Sequence, residues 1–111
     1  MMMQESFYSN FQSLENRESR LDQRVDLFYE NYKYWTENEV LTILFELWEG
    51  IEALIDDLAL FRDEEVNDRA HQTRMVRMYY RRIYEMMDHL NWISDELRGF
   101  YLIYPDSDEE Y

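Results

Sequence analysis

Cysteine is absent from this chain of 111 residues, which excludes disulfides and thiolate metal sites and agrees with a reducing cytosol. Glycine occurs twice and proline once, near the C-terminus. Sheet-rich and loop-rich folds need more turn-forming residues than that, so an all-helical fold is expected. Basic residues are scarce as well. Lys and Arg number 11 against 25 Asp and Glu, and the resulting charge of −14 repels phosphates, which argues against nucleic acid as a direct ligand. Every apolar stretch is interrupted by acids within a few residues, so no membrane span is expected. Met1–Ser6 lacks the basic and apolar segments of a secretory signal, and a cytoplasmic location is the expectation. Nucleophilic triads and phosphate-cradling glycine loops lack raw material here, and no cofactor is expected.

What the chain does hold is apolar and aromatic side chains, 46% and 17% of residues, enough for one core in one domain. Phe7, Phe11, Leu14, Glu18, Leu21, Val25, Phe28, Tyr32 and Trp35 recur at alternating spacings of four and three. That heptad seam predicts one helix over residues ~5–35, with Glu18 as its polar break. Thr36 and Glu39 form a T-x-x-E capping box that starts a second helix, over residues ~37–61, with Val40, Leu44, Leu47, Ile51, Leu54, Leu58 and Phe61 as its seam. Leu41, Trp48 and Ile55 widen the apolar arc, as suits a middle element touching two neighbours. Asp63 offers the next N-cap. A third helix is predicted over residues ~64–101, with seam Val76, Tyr80, Ile83, Met87, Leu90, Ser94, Leu97 and Tyr101 and flank Tyr79, Met86, Ile93 and Phe100. Short connections make the neighbours antiparallel, so residues 1–104 read as an up-down-up three-helix bundle and 105–111 as an acidic tail. The first and third helices outlast the second. Phe7, Phe11 and Leu14 should therefore project as an uncovered seam, and a homodimer completing the bundle is expected.

Charge is unevenly placed. The stretch 36–62 carries −6 and the tail −4, against −2 in each remaining segment, so ten of fourteen units sit in the second helix and the tail. No base interrupts the second helix between Asn38 and Phe61. At about 100° per residue, Glu46, Glu49, Glu52, Asp56 and Asp57 fall opposite its apolar arc. Glu46, Glu49, Glu52 and Asp56 step along the axis by roughly 4.5–6 Å, a spacing comparable to phosphates along a nucleic-acid strand. On the third helix Trp92 shares the polar side with Arg74, Arg77, Arg81, Glu85, Asp88 and Asp95, an unusual place for Trp and a candidate anchor for a partner.

In its size, its acidity and its acidic C-terminus the chain resembles small acidic proteins that imitate DNA, including phage inhibitors of restriction and of CRISPR effectors. That resemblance implies a non-enzymatic inhibitor whose carboxylate strip blocks a protein with a basic, nucleic-acid-binding surface. Two enzymatic patterns compete with it. Glu46-x-x-Glu49 with Glu85-x-x-Asp88 is similar to the paired acidic motifs of MazG-type nucleotide pyrophosphohydrolases, which implies Mg²⁺ held by those four carboxylates. Arg82-x6-His89 is similar to the R-x4–6-H motif of HEPN ribonucleases. The plain alternatives are a helical adaptor, a charged surface that keeps the protein in solution, and surface histidines at His71 and His89.

Overall fold

The computed structural model describes residues 2–69 and 73–104, with side chains over 6–69 and 74–104. Three long helices dominate: α1 (Met2–Asn31), α2 (Glu37–Phe61) and α3 (Thr73–Ile103). None of the described residues lies in a strand, and none of the described helices is long and apolar enough to cross a membrane. His71 and the acidic tail lie outside the described residues.

The side-chain contacts give the helices their mutual directions. Phe7 near the start of α1 meets Phe61 at the end of α2 (ring centroids 5.0 Å apart), and Arg17 meets Asp57. Across the next pair, the Trp48 indole Nε1 donates to the Ser94 carbonyl (3.4 Å), while Arg62 just beyond α2 reaches Tyr84. In both pairs the numbers rise along one partner as they fall along the other. Between α1 and α3, Phe7 and Phe11 pack on Tyr79, and Phe28 packs on Phe100. All seven expected seam residues of α2 are buried, so its wide apolar arc serves both neighbours.

Local chemistry accounts for the boundaries. At the start of α2 the Glu39 amide donates to Thr36 Oγ1 (3.2 Å) and the Thr36 amide donates to Glu39 Oε1 (2.9 Å), the two halves of a capping box. The first helix stops sooner than the seam predicts. Asn31 Nδ2 donates to the Leu27 carbonyl (2.8 Å), and the chain continues as a short 3₁₀ turn, Tyr32–Tyr34. An Asn amide near a helix end competes for backbone partners in this way.

The link from α2 to α3 departs further from expectation. Asp63 does not cap a new helix; its carboxylate takes Arg62 Nε at 2.9 Å, and that donor holds the Asp63 carboxyl below the usual carboxylate range. The chain instead makes a wide π-type turn (Arg62–Val66) and a 3₁₀ turn (Asn67–Arg69) before α3. Val66 drives this path: it is fully buried at the end of the core. Arg69 then lies over the Phe7 ring, 4.2 Å from its centroid.

That link overturns the expectation of an uncovered seam. Phe7, Phe11 and Leu14 retain only 1%, 6% and 7% exposure, covered within the same chain by Phe61, Tyr79, Arg69 and Arg82. The homodimer loses the observation on which it rested. The seam of α3 is shifted as well. Tyr79, Met86 and Ile93, expected on its flank, are buried with Val76, Ile83, Leu90 and Leu97, whereas Tyr80 and Met87 are half-buried and Tyr101 is exposed. The flank wins because it faces the large rings of α1.

Candidate functional site

The carboxylates of α2 differ in their surroundings. Asp57 is half-buried and accepts a hydrogen bond from Arg17 at 2.7 Å, so it belongs to the α1–α2 contact. Glu46, Glu49, Glu52 and Asp56 are exposed and make no ion pair among the described residues. Several acids on other elements are paired instead. Glu15 pairs with Arg82, Glu65 with Arg69, and Glu18 and Asp22 flank His89 at 2.8 and 3.5 Å. The four unpaired carboxylates extend along about 15 Å of rigid helix, given a rise of 1.5 Å per residue.

They are not equivalent. Glu46 borders a shallow depression of about 240 Å³ with Asn38, Glu39, Thr42 and Ile43. Glu49 and Glu52 border a larger groove of about 510 Å³ between α2 and α3, lined also by Phe45, Trp48, Ser94 and Arg98. Trp48 is fixed there by its bond to Ser94. Phe45 and Tyr101 pack on it, with centroids 5.4 and 5.6 Å away, and on each other at 5.7 Å, and remain 46% and 40% exposed. An open aromatic cluster beside two unpaired carboxylates is the most distinctive surface of the described residues.

Sequence reasoning found the carboxylates and missed the rings. The signal was present: at about 100° per residue Phe45 falls inside the arc of Glu49, Glu52 and Asp56, the one large apolar side chain there. Trp48 and Tyr101 read as ordinary packing positions, because the period reports a face and not how far a neighbouring helix covers it. Trp92 is exposed at 59%, as its polar-side position predicts. It follows Ser94 backwards by two residues, about 160° round α3, so it faces away from the groove and does not join the strip.

The enzymatic patterns fare differently. Glu85 and Asp88 are exposed on α3, apart from Glu46 and Glu49, and no three acidic or histidine side chains among the described residues gather closely enough to hold a metal ion. The four positions therefore do not fit the Mg²⁺ that the MazG resemblance implies. Arg82 and His89 both lie on the α1–α3 boundary, held by Glu15 and by Glu18 with Asp22. Those contacts explain the polar break at Glu18: a carboxylate inside the seam is answered by an imidazole on the facing helix. No known family's sequence profile, no curated protein and no solved structure matches this chain.

Proposed function

We propose that this protein is a non-enzymatic, cytoplasmic binding module whose carboxylate strip blocks a basic, nucleic-acid-binding surface on a partner protein. The three helices form an up-down-up bundle in this reading, and its purpose is to hold the strip rigid. The observation that carries it is the row Glu46, Glu49, Glu52 and Asp56 along one helix, exposed and without an ion pair among the described residues, beside Asp57, which Arg17 pairs. Fixed charge on a formed helix loses little conformational freedom on binding and steers association toward a cationic surface. Asp57 is withdrawn from the strip by Arg17, and Trp92 is a separate exposed ring that a large partner would reach only from the α3 side.

The test is competition. The wild-type chain should capture a nucleic-acid-binding protein at low salt and displace nucleic acid from it in a gel-shift assay. Raising the salt should release the partner, since screening shortens the range of exposed charges. The variant Glu46→Lys/Glu49→Lys/Asp56→Lys should lose both capture and displacement. Retention of both by that variant rejects the reading.

A further inference from the structure

The groove between α2 and α3 has a chemistry more specific than negative charge. At two of its other aromatic clusters the chain lays its own arginines against rings: Arg69 over Phe7 (4.2 Å to the centroid) and Arg82 over Phe11 (5.6 Å) in one, Arg62 over Tyr84 (5.7 Å) in the other. The cluster Phe45–Trp48–Tyr101 has no such cover among the described residues. Arg98 lines the same groove, yet it lies over no ring and instead approaches Asp95 (3.7 Å), which offsets its charge. Among the lining residues Glu49 and Glu52 outweigh Arg98 by one negative charge, Asp95 beside Arg98 adds another nearby, and Tyr101 packs on the two lining rings, Phe45 and Trp48. Its volume of about 510 Å³ admits a whole side chain.

We propose that this groove is the anchor point of the interface, taking an arginine side chain of the partner's basic segment. The guanidinium plane rests on the Phe45–Trp48–Tyr101 cluster while its N–H groups donate to Glu49 and Glu52. Arginine fits better than lysine because its planar fork stacks on rings and pairs with carboxylates at once, whereas an ammonium is a strongly hydrated point charge. The anchor rests on the reading of the protein as a module for basic partners, and it adds the place and the residue type recognised.

Fluorine NMR on the full chain labelled with 5-fluorotryptophan tests it. The three tryptophans give three resonances, assigned through Trp→Phe variants. Titration with an oligoarginine peptide should shift the Trp48 resonance to saturation and leave Trp92 in place. Glu49→Gln/Glu52→Gln should weaken peptide binding about tenfold, Glu46→Gln/Asp56→Gln less than about threefold, and oligolysine should bind at least about fivefold more weakly than oligoarginine. Circular dichroism confirms that each variant is folded. Peptide binding with a stationary Trp48, equal losses in the two double variants, or equal affinity for the two peptides overturns the anchor and leaves the strip reading standing. No binding of either peptide at low salt overturns both.

Discussion

Gly99 and Gly50 both sit inside helices, yet a methyl group added to each meets different surroundings. At Gly99, exposed on α3, nothing lies within 4 Å of an added Cβ. Replacing it with Ala therefore removes backbone freedom from the unfolded chain without a clash, and Gly99→Ala should stabilise the protein by about 0.5–1 kcal/mol. At Gly50 the added Cβ would stand 3.1 Å from Leu21 Cδ2, and Leu21 is itself a core residue with 6% exposure. The gain in helix propensity is then offset by displacement of a packed side chain, so Gly50→Ala should give no net stabilisation. Urea unfolding of the two variants beside the wild type measures both. An equal gain at the two positions would show that Leu21 has room to turn, and that the α1–α2 contact is looser than its burial implies.

Among the elements, α2 is the one whose limits and buried face can be read directly from residue order. The capping box at Thr36 and Glu39 is a local device, and every seam residue from Val40 to Phe61 is buried as its spacing predicts. α1 and α3 are harder to read because their limits depend on partners distant in sequence. Nothing near Asp63 announces that Val66 will fill the end of the core, which is why the link to α3 reads as a cap. Likewise both Tyr79–Met86–Ile93 and Tyr80–Met87–Ser94 are plausible seams, and only the rings of α1 decide between them. The candidate site shows the same division: charge along one helix is legible, whereas a groove made by two helices is not. Since the start of α2 rests on a local device, its contribution can be measured locally. Thr36→Ala removes the acceptor of the Glu39 amide and should cost about 1 kcal/mol, read as a lower urea midpoint with an unchanged slope. Thr36→Ser, which keeps the oxygen, should recover most of the loss.

The whole molecule is a rod, 62 × 20 × 17 Å, with a radius of gyration of 17.6 Å where a compact chain of about this length would have about 13 Å. Such a shape lets one helix display charge along most of its length, and it sets two electrostatic effects against each other. Intrachain pairs such as Arg17–Asp57 and Glu15–Arg82 are partly exposed and contribute little individually. Against them, Glu46, Glu49, Glu52 and Asp56 form three successive like-charge neighbours at i,i+3 or i,i+4, each unfavourable by about 0.2–0.5 kcal/mol. With a net charge of −14 the repulsive side is the larger, so salt should stabilise this protein instead of weakening it. Between about 20 mM and 300 mM NaCl the Tm should rise by about 3–6 °C, the equivalent of about 1 kcal/mol for a chain of this size. Partner affinity should fall over the same range, because the carboxylates that repel one another in the free protein are those that attract a basic surface. Neutralising the row with Glu46→Gln, Glu49→Gln, Glu52→Gln and Asp56→Gln should raise the low-salt Tm and reduce its salt dependence, at the expense of binding. A Tm that falls with added salt would mean that the paired charges, and not the open row, dominate the electrostatics of the fold.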